Sequence, residues 1–91
     1  MLNNNPIDDI LKFPCVISVK AIGENNTDFK KHVFQLIRKH SHDIKSSAVS
    51  TRLSKNKKYL SVTVKVKAVS RLHIDSIYQA LTDDKKIIYA I

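Results

Sequence analysis

The sequence predicts a small α+β domain in which a four-stranded antiparallel sheet carries two helices on one face. Three observations support this class: the 91 residues suit one domain, apolar residues alternate in several stretches, and two other stretches repeat them at helical spacing. The stretches follow the order strand, helix, strand, strand, helix, strand. Two right-handed crossovers interleave compactly in one way, which is the ferredoxin-like βαββαβ two-layer sandwich with the first and third strands central.

The first strand is predicted over Phe13–Ile22, where apolar residues alternate with Val16, Ser18 and Lys20. Gly23, the only glycine in the chain, is expected to end this strand. We also expect Gly23 to adopt a backbone geometry that other residues tolerate poorly.

The two helices are predicted from their apolar stripes and from the residues before them. Asn25–Asp28 supplies side chains typical of helix N-caps, and the helix after it reaches about His40. Ser70 is predicted to cap the second helix. The stripes consist of Phe29, Val33, Leu36 and Ile37 in the first helix and Ile74, Ile77, Tyr78 and Leu81 in the second.

The remaining strands differ in the strength of their pattern. Residues 46–54 predict a weak strand, residues 59–68 the clearest strand of the chain, and residues 87–91 a closing strand. The face with Ile17, Val19, Val62 and Val64 is predicted to be the inner one, because Ser and Lys residues occupy the opposite face.

The chain divides into an N-terminal arm, residues 1–12, and one domain, residues 13–91. The arm is expected to be partly mobile, with a single helical turn that includes Ile7 and Ile10. Neither a signal peptide nor a membrane span is predicted. Cys15 is the only cysteine, so a disulfide-free cytoplasmic protein is expected, with Cys15 a buried hydrophobic residue.

Basic and acidic residues are unevenly distributed along the chain, because eight basic residues lie in a segment that has no acid. The sequence contains 16 Lys and Arg against 8 Asp and Glu, a formal net charge of +8, and no acid lies between Ile44 and Ile74. The strand pattern places two lysines of this segment, together with Lys20 and several hydroxyl side chains, on the open face of the sheet. The predicted ligand- or partner-binding residues are Lys20, Lys65, Lys67, Ser61 and Thr63. The alternative is a solvated surface that resists aggregation.

The sequence predicts no catalytic residue, no metal site and no cofactor. Four histidines are present, but no pair of them has a spacing typical of zinc sites, and the lone cysteine provides no second ligand type. A chain with one glycine also has no Gly-rich phosphate-binding loop. We therefore expect no enzymatic activity.

Several segments resemble the YbeD-like family of small bacterial proteins, some of which are labelled lipoate-regulatory or lipoic-acid-binding. The resemblance covers residues 7–91 and implies a sandwich similar to the regulatory ACT domains of amino-acid metabolism. It provides no catalytic residues. The segments that carry it are Asp9–Pro14, Val19–Gly23, Arg38–His40, Tyr59–Val64 and Ile77–Leu81.

Three functions are compatible with these features. The first, implied by the resemblance, is a regulatory module, a monomer or homodimer, that binds a small anionic ligand. The second is an interaction adaptor that binds an acidic protein. The third is a non-specific RNA-binding module. Sequence-specific RNA recognition is not expected, because Tyr59 is the one aromatic residue at the comparable strand positions.

Overall fold

The computed structural model describes residues 12–91 and has the predicted βαββαβ order. β2 is shorter than the predicted stretch 46–54, because a 3₁₀ turn occupies Ser46–Ala48. The turn expected around Ile7 and Ile10 lies outside the described residues. The elements are β1 (Cys15–Glu24), α1 (Phe29–Arg38), β2 (Val49–Leu53), β3 (Tyr59–Ala68), α2 (Arg71–Thr82) and β4 (Ile87–Ala90).

The strands form one antiparallel sheet in the order β2-β3-β1-β4, which confirms that β1 and β3 are central. β1 and β3 pair along their full length, from Cys15 opposite Ala68 to Glu24 opposite Tyr59. The two ten-residue strands therefore determine which side chains share each face.

The core lies between the helices and the predicted inner face of the sheet. Ile17 and Leu36 contact this core but are only partly buried. Ile74, which is part of the predicted stripe of the second helix, is also half-buried. Ile44 and Ile87 are buried although the pattern did not single them out for the core. The buried cluster comprises Val19, Ala21, Phe29, Val33, Ile37, Ile44, Leu60, Val62, Val64, Val66, Ile77, Leu81 and Ile87.

The prediction for Gly23 is wrong in both respects. β1 continues through it to Glu24, and its φ angle is not positive. A Cβ atom built on Gly23 would clash with Cε1 of Phe29 and lie 2.7 Å from the carbonyl oxygen of Lys86. Glycine is therefore needed because the Phe29 side chain and the backbone just before β4 approach closely, not because of an unusual backbone conformation.

One of the two predicted helix caps is present. The Ser70 Oγ accepts a hydrogen bond of 3.0 Å from the His73 N–H, which confirms the cap of α2. Among the residues that the structure describes, no side chain caps α1. Instead, Asn26 Oδ1 accepts a 2.8 Å hydrogen bond from the Asp28 N–H and stabilises the turn before the helix. α1 ends at Arg38, two residues earlier than expected.

Candidate functional site

The open face of the sheet, opposite the helices, carries all five predicted binding residues. Strand register places side chains from all four strands on this face. Its members are Val16, Ser18, Lys20, Ile22 and Glu24 from β1, Ser50 and Arg52 from β2, Tyr59, Ser61, Thr63, Lys65 and Lys67 from β3, and Tyr89 from β4.

The part of the open face that contains Lys20 and Lys65 is positively charged, and we call it the cationic half. Lys20 lies opposite Thr63, and Lys65 lies opposite Ser18. The two lysines are diagonal neighbours on the central strands, with Cα atoms about 7–8 Å apart. Glu24, at the far end of β1, is the only acid in the four strands. Lys20 and Lys65 therefore have no acidic neighbour on the strands.

The other predicted residues lie further from this pair. Lys67 lies opposite Val16 and is the next outward-facing residue of β3 after Lys65. It also lines a separate cleft at the end of the sheet. Ser61 lies opposite Ile22 rather than opposite a lysine. The structure thus brings Lys20, Lys65 and Thr63 together and places Lys67 and Ser61 on either side of them.

The opposite end of the open face is apolar, which sequence reasoning missed. Ile22 lies between Ser61 on β3 and Tyr89 on β4, and Tyr59 is at the start of β3. These side chains contribute to an apolar depression of about 470 Å³. Its lining residues are Ile22, Arg52, Leu53, Ser54, Tyr59, Ser61, Ile88 and Tyr89.

Nothing in the local pattern pairs Ile22 with Tyr89. Their proximity depends on the register of β4 against β1, which shifts between Ile22 and Gly23. Tyr89 is 53% exposed. The one sequence feature that indicated part of the depression was the alternation of Ile22 with the inward-facing Ala21, which places Ile22 on the open face.

A second concave region lies between the end of α1 and the start of α2. His73 Nδ1 accepts a 3.1 Å hydrogen bond from the Val69 N–H, so Nε2 carries the ring proton. Nε2 lies 2.7 Å from the His40 carbonyl oxygen and 2.7 Å from Ser41 Oγ. His73 thereby links the end of α1 to the start of α2.

The contact between Ser41 and His73 resembles a nucleophile–base pair only in distance. A general base needs a free ring lone pair directed at the hydroxyl. Nε2 carries the proton, because Nδ1 already accepts from the Val69 backbone. Ser41 is also only 4% exposed. The arrangement stabilises the junction between the helices and does not activate the hydroxyl.

A further histidine contact links α1 to the loop before β4. His32 Nε2 lies 2.8 Å from Asp84 Oδ2, and the Lys86 N–H donates to Asp84 Oδ1 at 2.9 Å. Desolvation by burial acts to raise the pKa of Asp84, but the hydrogen bonds from His32 and Lys86 outweigh it and lower that pKa. This contact therefore favours the ionised carboxylate.

Histidine and acidic side chains lie near one another at two places within residues 12–91, at His32 with Asp84 and in the cleft lined by His40, His42 and Asp43. Within that range, no three His, Cys, Asp or Glu residues are placed to hold a metal ion. His40, His42 and Asp43 line the same cleft as His73 without forming such a group. Cys15 is half-buried rather than buried. No helix in this part of the chain is long and apolar enough to cross a membrane.

Curated bacterial relatives match most of the chain. A UPF0250 protein of Nitrosomonas europaea is 32% identical over 76 residues, covering 84% of this chain and 87% of the relative. A UPF0250 protein of Paraburkholderia phytofirmans is 33% identical over 75 residues, covering 82% and 84%. One from Neisseria meningitidis serogroup C is 32% identical over 78 residues, covering 86% of each.

The chain also resembles a solved structure and matches a family model. The solution structure of protein HP0495 from H. pylori superposes with a TM-score of 0.72 at 18% identity, covering 99% of this chain and 98% of that one. This likeness shows the fold alone. Residues 8–91 match the family described as "Protein of unknown function (DUF493)". The chain therefore belongs to the DUF493 family, which confirms its resemblance to the YbeD-like proteins.

Proposed function

We propose that the protein is a non-catalytic binding module, similar in role to regulatory ACT domains, that binds an anionic partner through the open face of its sheet. The observation that carries the proposal is the position of Lys20 and Lys65 on the two central strands, beside hydroxyl side chains and without an acidic neighbour on the sheet. Cations in this arrangement attract carboxylates and phosphates.

A purely protective role explains these lysines poorly. Lysines that prevent unwanted strand pairing act on edge strands, where backbone groups are unpaired. Lys20 and Lys65 lie on β1 and β3, which have hydrogen-bonded neighbours on both sides. Their charges repel one another, although solvent and salt keep that repulsion small. An anionic partner would remove the repulsion, and this supports the binding role.

The binding face also bears on the lipoate-related label of the family. Lys20 is the outward-facing residue of β1 next to Ile22, which lines the apolar depression. A carboxylate joined to an apolar tail, as in lipoate or octanoate, matches this combination in chemistry. Small carboxylates of this class are therefore one arm of the test.

One observation favours RNA as an alternative partner. Tyr59 and Tyr89 both lie on the open face, and bases stack on aromatic rings. The middle of the central strands presents Ser18, Lys20, Thr63 and Lys65 instead of aromatic rings. This pattern supports electrostatic contact with RNA more than base stacking. RNA is accordingly a second arm of the test.

The proposal is tested by NMR titration of the ¹⁵N-labelled chain with octanoate, lipoate, a poly-glutamate peptide and a uridine oligonucleotide. We expect at least one anion to shift the amides of residues 18–20 and 61–67. The shifts should weaken steeply with added salt, because the contacts are electrostatic. If these amides stay fixed with every probe, or shift only together with helix amides, the open face is not the binding site.

A further inference from the structure

The cationic half and the apolar depression form one continuous surface. Lys20 and Ile22 are successive outward residues of β1, opposite Thr63 and Ser61 of β3. Successive side chains on one face of a strand are about 7 Å apart. A single partner can therefore contact a cation and the depression at once.

The depression itself has the properties of an interaction surface. Tyr89 is 53% exposed and Ile88 is 55% exposed, and both lie on the short edge strand β4. Contiguous exposed apolar side chains on a small domain mark contact sites. A small inorganic anion would occupy the lysines and leave these apolar groups in water, so it does not account for the whole surface.

A second copy of this chain is a poor occupant. Two copies that pair their open faces around a two-fold axis bring the same patch against itself. Lysines would then face lysines, and each copy carries a net charge of +8. Glu24 is the one strand acid able to offset them. Charge complementarity instead requires a different and acidic partner.

Single-stranded RNA fits the surface less well than an acidic protein. Tyr59 lies at the start of β3, and Tyr89 lies on the edge strand β4. Their neighbour on the central strand β1 is the branched side chain of Ile22, which lies opposite Tyr89. Base-stacking sheets use aromatic residues in the middle of their central strands. Apolar anchors beside charges are instead typical of protein recognition.

We infer that the open face binds an acidic protein segment, which places one large apolar side chain in the depression by Ile22 and Tyr89 and its carboxylates over Lys20 and Lys65. This inference rests on the binding role proposed above and specifies its partner. The strand geometry sets the spacing of that segment. Its first carboxylate lies about 7 Å from the anchor and its second about 14 Å from it.

Three synthetic peptides test the inference with the full-length, ¹⁵N-labelled chain. The complete peptide alternates Ser with Phe, Glu and Glu, so that an extended conformation presents the three side chains on one face at the required spacing. The second peptide replaces Phe by Ser, and the third replaces both Glu residues by Gln. We expect the complete peptide to bind at least about 10-fold more tightly than either incomplete one.

Two variants locate the contacts. Tyr89→Ser should reduce affinity for the complete peptide about 10-fold and leave the weak binding of the Phe-free peptide unchanged. Leu72→Ser is the matched control, because Leu72 is 74% exposed on α2 and lies outside the depression. It should alter neither affinity. If Tyr89→Ser does not fold, Ile88→Ser tests the same contact, and the peptide comparison needs no variant.

Each contrary outcome has a distinct meaning. Equal binding of the complete and Phe-free peptides, with shifts confined to residues 18–20 and 63–65, overturns the anchor inference and leaves the proposed anion-binding function standing. Tighter binding of a uridine oligonucleotide, with shifts at Tyr59 and Tyr89, overturns it in favour of RNA. If no probe shifts any open-face amide, both the inference and the proposed function fail.

Discussion

Gly23→Ala adds one methyl group where the structure has no space for it. The new Cβ atom would clash with Cε1 and lie 2.5 Å from Cζ of the Phe29 ring. Phe29 is only 3% exposed and packs in the core, so its ring moves only by disturbing its neighbours. The Lys86 carbonyl oxygen, at 2.7 Å, belongs to the backbone before β4 and also blocks the site.

The expected cost follows from overpacking a well-packed core. Such insertions cost about 1–3 kcal/mol, and two simultaneous clashes favour the upper half of that range. Alanine in a strand would otherwise be more stable than glycine by about 0.5–1 kcal/mol. A net loss of about 2 kcal/mol corresponds to a fall in melting temperature of about 8–16 °C for a domain of this size.

Urea unfolding followed by circular dichroism measures this loss. A double-mutant cycle with Phe29→Leu is the control, because the smaller side chain removes one of the two clashes. We expect Gly23→Ala to cost less in the Phe29→Leu background than in the wild type. A Gly23→Ala variant as stable as the wild type, or an equal cost in both backgrounds, would refute the close-approach explanation.

Three further predictions concern stability. Val64→Ala should lower the free energy of unfolding by about 1–4 kcal/mol through lost burial and a cavity. Leu36→Ala should lower it by less, because Leu36 is only partly buried. Equal urea midpoints for Val64→Ala and the wild type would contradict the core assignment. His73→Ala should cost about 1–2 kcal/mol because the Val69 N–H and the His40 carbonyl lose their partner, whereas His42→Ala, at an exposed position, should have little effect in the same melts. The contact of Asp84 with His32 should stabilise the fold above the ordinary Asp pKa of 3.8 and be lost as pH falls through the lower folded value. Unfolding curves of Asp84→Asn and the wild type should therefore converge as pH falls, and a constant difference down to about pH 2 would contradict this.

The sequence predicted the central part of the fold and of the site because both depend on local alternation. Ten-residue strands with period-two patterns fix the inner face of the sheet, so the outward direction of Lys20 and Lys65 followed directly. The cap of α2 by Ser70 was likewise a local signal.

The features that escaped prediction depend on contacts between distant segments. Gly23 is required by Phe29 and by the Lys86 backbone, which only the folded sheet brings together. Ile22 meets Tyr89 through the irregular register of β4. His73 forms a hydrogen bond with the His40 carbonyl oxygen, 33 residues earlier in the chain. No pattern within one element encodes such pairs, and this explains why the apolar depression was missed.

The proposed role of the open face is tested most directly by replacing its lysines. Lys20/Lys65/Lys67→Ser should fold normally and be slightly more stable at low salt, because repulsion between like charges is removed. Lys30/Lys31/Lys85→Ser is the matched control, since it removes the same charge from exposed positions outside the sheet. Affinity for the poly-glutamate peptide, measured by calorimetry at several salt concentrations, should be lost in the first variant and largely retained in the control. Equal loss of affinity in the two variants, or full retention in the first, would contradict the account.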